Sequence, residues 1–162
     1  MIELILARHA KSDWGDPGLT DHARPLNPRG LHDAPMMAER LAQSGASVDL
    51  ILSSTAVRAR TTAAFFSAAL GVDVEQDREL YLAPDERLFS RAAETGLASV
   101  MVVAHDPGLS DLASRLSDGG IAHMPTCSIA RFEWDAAAWS AVEDRAADRW
   151  SFDSPRGGSA SR

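Results

Sequence analysis

Ser99-Val100-Met101-Val102-Val103-Ala104, followed at once by His105-Asp106-Pro107, is the stretch that decides the fold. Only the first of its residues is polar, and nothing in it alternates. Such a run suits a strand buried on both faces, as in the sheet of an α/β protein. The chain opens in the same way: Ile2-Glu3-Leu4-Ile5-Leu6-Ala7 runs into Arg8-His9. A third buried strand, Val48 to Ser53, runs into Ser54-Thr55. Asp106-Pro107 reads as a helix cap with proline at the first helical position, and it opens a helix through Leu116. Asn27-Pro28 repeats that signature. Leu31, Ala34, Met37, Ala38 and Leu41 then recur at helical spacing until Gly45 ends the run.

The remaining segments fill in an alternating pattern. Val57 to Leu70 predicts a helix, capped by Ser54 or Thr55 and closed by Gly71. Val72 to Glu75 predicts a short strand, Pro84 to about Thr95 a helix, and Ser117 to Gly120 a turn. From Ser128 to Trp134 polar and apolar residues alternate, which suits a strand with one wetter face. Ala136 to Val142 is ambiguous, and Arg149 to Phe152 reads as a last edge strand. Arg8 to Asn27 is a long loop, the kind that is usually functional, with Asp13 to Thr20 as a candidate partial lid. The whole predicts one three-layer α/β/α domain over residues 1–153 with a mostly parallel central sheet, and a polar tail, 154–162, that frays.

Composition narrows the function classes. At 162 residues, 45% hydrophobic and 24% charged, the chain is one domain able to bury its own core. A net charge of −7 argues against coating a nucleic-acid backbone. The single cysteine, Cys127, leaves no internal disulfide and no thiolate-rich metal site. No run approaches the roughly 20 apolar residues of a membrane span. The opening apolar run is too short for a signal segment, so a cytoplasmic protein, favoured as a monomer, is expected.

Sheets of this class place ligand sites beyond the carboxyl ends of their strands. Those ends carry Arg8-His9, Ser53-Ser54-Thr55 and His105-Asp106, and Arg58 and Arg60 follow one turn into a helix. If the three strands are neighbours, two histidines and at least two arginines converge. Arginine offers planar, permanently charged donors suited to phosphoryl oxygens. Each signal has an ordinary reading when taken alone. A histidine after a strand is commonly a loop residue, arginines on helices are commonly solvated, and Asp106 is fully explained as a cap. Their joint placement at strand ends outweighs those readings. Two nucleophile motifs are excluded: Arg131 follows Cys127 after three residues instead of the five of a cysteine phosphoryl-binding loop, and no Gly-x-Ser-x-Gly elbow exists. His22, His32 and His123 are poorly placed for a dinuclear site, so neither metal nor cofactor is expected.

Leu6-Ala7-Arg8-His9-Ala10-Lys11-Ser12 resembles the Arg-His signature of the histidine phosphatase (phosphoglycerate mutase-like) superfamily, and more narrowly its SixA-type phosphohistidine phosphatases. The resemblance continues through Arg24-Pro25-Leu26, Arg29-Gly30, Ser53 to Ala63, Leu80-Tyr81, His105 to Leu109, Met124-Pro125-Thr126 and Ser154-Pro155. It spans nearly the whole chain in order, and implies a phosphoglycerate mutase-like fold. It implies His9 as the nucleophile that becomes phosphorylated, with Arg8, Arg58 and His105 binding the phosphoryl group, His105 best as a cation. Neighbouring cations would lower the His9 pKa and keep it available. Arg60 acquires no role. For a general acid the candidates are Asp106, which competes with its cap reading, and Glu79. An imidazole leaves more easily than an alkoxide, so a weak acid suits phosphohistidine. The expectation is a metal-independent phosphatase acting on phosphohistidine in a protein. The alternatives are a phosphomonoesterase acting on a phosphorylated small molecule, and a silent phosphoprotein-binding module.

Overall fold

The two most apolar strands lie side by side at the centre of the sheet. In the computed structural model, which describes residues 1–157 and 160–162, β1 (Ile2–Arg8) pairs in parallel with β4 (Ser99–Ala104), Leu6 opposite Val102 and Arg8 opposite Ala104. On its other side β4 pairs in parallel with β2 (Leu50–Ser53), and β2 with the short β3 (Val74–Gln76). Beyond β1 the direction reverses. β5 (Ile129–Trp134), β6 (Arg149–Asp153) and β7 (Ala160–Ser161) are added antiparallel, giving the order β3-β2-β4-β1-β5-β6-β7. The three-layer α/β domain is as expected, but its sheet is mixed, half parallel and half antiparallel. Hairpin-like returns after residue 128 need no crossover helix, and that is where the parallel order stops.

Helices cover both faces. α1 (Pro28–Gln43) and α2 (Val57–Leu70) bury Met37, Leu41 and Phe66 against Ile5, Ile51, Met101 and Val103. α3 (Asp85–Glu94) and α4 (Gly108–Leu116) bury Leu88, Phe89, Leu109 and Leu112 against Leu4, Leu6, Val100 and Val102. Successive residues of a strand face opposite layers, so every residue of β4 is buried. In β5 the alternation holds: Ala130, Phe132 and Trp134 are buried while Arg131 and Glu133 are partly exposed.

Local signals resolve in physical terms. Asn27 caps α1 by accepting from the Gly30 N–H at 2.9 Å, as read from the sequence. The expected side-chain cap of α2 is different: its N-cap is Ala56, with no side-chain cap bond. Thr55 Oγ1 instead meets His22 Nε2 at 2.8 Å, and Ser54 Oγ serves the Ala56 N–H at 3.2 Å. The ambiguous stretch holds a 3₁₀ turn at Trp139–Ala141. The tail expected to fray is tied down where it is described. Ser154 is buried, Ala160–Ser161 pairs with β6, and Arg162 exchanges backbone bonds with Trp150 at 2.9 and 3.1 Å. β6 is therefore not the edge. Gly158 and Ser159, within that tail, lie outside the described residues. No helix is long and apolar enough to cross a membrane among the described residues.

Candidate active site

The order β2-β4-β1 makes the three strand ends immediate neighbours. The His9 N–H bonds the Ala104 carbonyl at 3.2 Å and the Ser54 N–H bonds the Val103 carbonyl at 3.0 Å. His9 and His105 thereby leave adjacent strands at the same height, with ring centroids 5.1 Å apart. Gly30 helps to fix this end. A Cβ there would stand 2.2 Å from the Lys11 carbonyl oxygen, so only glycine lets the first turn of α1 press against the backbone just after His9. Gly108 plays the same part at the start of α4, where a Cβ would stand 2.1 Å from the Ala83 carbonyl oxygen.

The His9 tautomer follows from its partners. Nδ1 lies 2.8 Å from the Ala10 carbonyl oxygen, which can only accept, so Nδ1 carries the proton. Nε2 then presents a lone pair, and Arg58 Nε approaches it at 3.4 Å. Burial is the main reason that the His9 pKa falls to about 3. The bond to Ala10 opposes the fall, and Arg58, Arg8 and Arg24 add to it. The sequence reading named the neighbouring cations, but burial is the larger cause. His105 is likewise brought down to about 3, by burial first and then by His9 and Arg58. Burial thus works against the cationic form that the resemblance implies for phosphoryl binding. His105 Nε2 meets Ser54 Oγ at 2.7 Å. The Ser54 hydroxyl also accepts from the Ala56 N–H and has both a donor and a second lone pair to offer Nε2.

Arginines surround the pair. Arg58, only 2% exposed, donates through Nη1 to the Asp21 carbonyl at 2.7 Å and through Nη2 to the Asp21 carboxylate at 3.0 Å. Arg8 donates to the Met124 carbonyl at 3.0 Å and faces Asp106 Oδ2 at 3.4 Å. Arg24 pairs with Asp21 at 2.8 Å, bonds Ser12 and lies under the ring of Trp14, its guanidinium carbon 3.6 Å from the ring centroid. The Tyr81 hydroxyl donates to Asp21, while the Tyr81 ring stands edge-on to His105 at 5.4 Å. Three cation or hydroxyl donors hold the Asp21 carboxyl below the usual carboxylate range against its partial burial. Arg8 Nε, Arg24 Nε and His105 Nδ1 are buried with no hydrogen-bond partner. A tetrahedral oxyanion presents acceptors of the kind that such nitrogens need.

The structure thus brings together Arg8, His9, Arg58 and His105, as the sequence reading required. Asp106 joins them through Arg8. Glu79 does not: its exposed carboxylate pairs with Arg87 and lies 3.9 Å from Arg91. Arg60 is exposed. Residues 13–20 face solvent, and the part of the loop that enters the site is Asp21 to Arg24. Asp21, Arg24 and Tyr81 were not assigned roles from sequence. Arg24 and Tyr81 stand in blocks that carried the resemblance, whereas Asp21 gave no signal beyond being one acid among several. Cys127 is buried and its thiol is pushed up to about 12, which makes it a poor nucleophile. Among the described residues no group of three His, Cys, Asp or Glu side chains is placed to hold a metal ion. A groove of about 610 Å³ lined by Arg87, Phe89, Arg115 and Glu143 contains none of the site residues.

Comparison with known proteins agrees with this geometry. The model of the histidine phosphatase superfamily (branch 1) matches residues 4–81. A Mycobacterium tuberculosis protein of uncharacterised function is 34% identical over 161 residues, covering 92% of this chain and 99% of its own length. The crystal structure of a candidate phosphohistidine phosphatase SixA from Agrobacterium tumefaciens superposes with a TM-score of 0.76 at 33% identity, covering 85% of this chain and 94% of that one. A protein histidine phosphatase SixA complexed with tungstate gives 0.69 at 25% identity, covering 83% and 89%. With the Arg-His strand end, the second histidine and the matching fold together, the chain belongs to the histidine phosphatase superfamily and is of the SixA type.

Proposed function

We propose that the phosphatase chemistry of this family is directed, in this chain, at phosphohistidine carried by a protein, without a metal ion and with His9 as the nucleophile. The observation that carries the reading is the lone pair of His9 Nε2, left on that nitrogen by the Nδ1 bond to Ala10 and met by the Arg58 Nε–H at 3.4 Å. His9 Nε2 attacks phosphorus, the P–N bond to the substrate imidazole, protonated on its other ring nitrogen, breaks, and neutral imidazole leaves with the electron pair. Water then attacks phospho-His9 and returns the enzyme with free phosphate. Charge spreads over three equatorial oxygens during each transfer. Arg8, Arg58 and His105 are the donors that meet it. One SixA relative is complexed with tungstate, a tetrahedral oxyanion, which supports an oxyanion as a ligand of this kind of protein.

A silent binding module would have no use for an oriented, unprotonated histidine beside three arginines. The deciding experiment is turnover of a phosphohistidine protein beside a panel of phosphomonoesters, with acid-quenched enzyme analysed for acid-labile phosphate on His9. His9→Ala should lose all but a few per cent of the rate while keeping the fold. Retained activity in that variant defeats the covalent route. A preference for small phosphomonoesters over the phosphoprotein defeats the assigned substrate.

A further inference from the structure

His123 is an exposed imidazole that the reading above does not use, and it stands at the edge of the site. Its Nδ1 lies 3.5 Å from Asp106 Oδ2 and 3.5 Å from Ser110 Oγ. Arg8 ties the same segment down, donating to the Met124 carbonyl at 3.0 Å and facing Asp106 Oδ2 at 3.4 Å. His123, Asp106 and the phosphoryl-binding Arg8 therefore form one continuous cluster. The side chain of His123 is 64% exposed, so its other ring nitrogen is accessible to an incoming substrate.

Asp106 is badly placed to give up a proton itself. Ser110 N–H donates to Oδ1 at 3.1 Å, and Ser110 Oγ lies 2.8 Å from both carboxylate oxygens. Ser110 Oγ already accepts from the Met124 N–H at 2.9 Å, so its own hydrogen points to Asp106. Every neighbour of Asp106, Arg8 included, is a donor. Such a carboxylate orients a histidine, as in catalytic Asp-His pairs, instead of serving as the acid.

We propose that His123, oriented by Asp106, is the proton donor to the leaving group, and that it extends this site from phosphohistidine to phosphate monoesters. The proposal rests on His9 as nucleophile, as argued above. His9 Nε2 attacks phosphorus and the P–O bond breaks. The leaving oxygen takes the electron pair, and with it the Nε2 proton of imidazolium His123, whose Nδ1 stays beside Asp106 and Ser110 Oγ. Neutral His123 then accepts a proton from the attacking water, the P–N bond to His9 breaks, and phosphate departs with His123 recharged.

The test is a leaving-group series: an alkyl phosphate, phenyl phosphate, 4-nitrophenyl phosphate and a phosphohistidine peptide. It is run on wild type, His123→Gln, Asp106→Asn and the double variant. Asp106 is not the cap that the sequence suggested, since the N-cap of α4 is Pro107 with no side-chain cap bond; asparagine keeps an oxygen to accept from the Ser110 N–H, and the exposure of His123 makes Gln structurally mild. His123→Gln should lower the alkyl phosphate rate on the order of a hundredfold. The loss should shrink steadily toward 4-nitrophenyl phosphate and be smallest for the phosphohistidine peptide. Asp106→Asn should show the same gradient more weakly, and the double variant should add little to His123→Gln. A uniform loss across the series, or none, overturns the proposal. So does a wild type that cannot hydrolyse alkyl phosphates at all. Failure of wild type on the phosphohistidine peptide alone counts against the assigned substrate and leaves the gradient among esters to judge His123.

Discussion

Asp21 grips Arg58 twice, with its backbone carbonyl on Nη1 at 2.7 Å and its carboxylate on Nη2 at 3.0 Å. The guanidinium is thereby fixed with Nε toward His9 Nε2, and the same carboxylate collects Arg24 and Tyr81. One acid from a long loop sets the positions of two cations and a ring that abuts His105.

Removing that carboxylate should loosen Arg58 without removing any charge that meets the substrate. Asp21→Ala is expected to lower kcat/KM by about tenfold to a hundredfold, the scale of a misplaced positioning group. Asp21→Asn, which can still accept from one arginine, should lose less. Steady-state kinetics on 4-nitrophenyl phosphate checks this. An Asp21→Ala enzyme as fast as wild type means that the backbone carbonyl alone suffices.

Stability should fall with acid in a defined window. His9 and His105 are held down at about 3 in the folded protein. In the unfolded chain imidazoles bind protons near about 6.5. Between those values the unfolded state holds more protons, so the contribution of each histidine is complete above about 6.5 and is lost as pH falls toward 3. The slope is up to about 1.4 kcal/mol per pH unit for each group. Urea midpoints at several pH values should fall less steeply for His105→Gln than for wild type. Equal slopes would mean that burial does not hold His105 neutral.

Gly30→Ala pushes a methyl group onto the Lys11 carbonyl, a backbone atom that cannot swing aside. The expected cost is roughly 1–3 kcal/mol, and the activity loss should exceed what unfolding explains, because Lys11 lies two residues from His9. Gly108→Ala should act similarly through the Ala83 carbonyl. Thermal melts and rates measured well below the melting point separate the two effects.

Chelation provides a test of mechanism class. Exhaustive treatment with a chelator should leave the rate unchanged, and added magnesium should rescue none of the variants above. Activity lost on chelation and recovered with a divalent ion would place the reaction in a different class.

How far the sequence could be read depended on whether each feature was local. β1 and β4 were legible because a strand buried on both faces must be apolar at every position, and few other elements look like that. Arg8, His9 and His105 were legible because each lies at or just past a strand end, and Arg58 because it opens the helix that follows β2. Strand direction was not: the alternation of β5 reports a wetter face but not its antiparallel pairing with β1. Ser54 was read as a cap when its hydroxyl also serves His105, 51 residues away. Asp21 and Tyr81 meet across 60 residues of chain, and nothing near either of them announces the other.

The central position of β1 bears on how the protein is made. The end of β1 carries the proposed nucleophile, yet its partners β4 and β5 lie roughly a hundred residues or more further along the chain. Non-local pairing of this kind raises contact order and slows folding. A nascent chain that stops before β5 leaves the edge of β1 bare, an invitation to pair with other chains. The sheet around the proposed site is therefore completed only after β5 has been made. Truncated products of this gene should be inactive and prone to aggregate, not partly active.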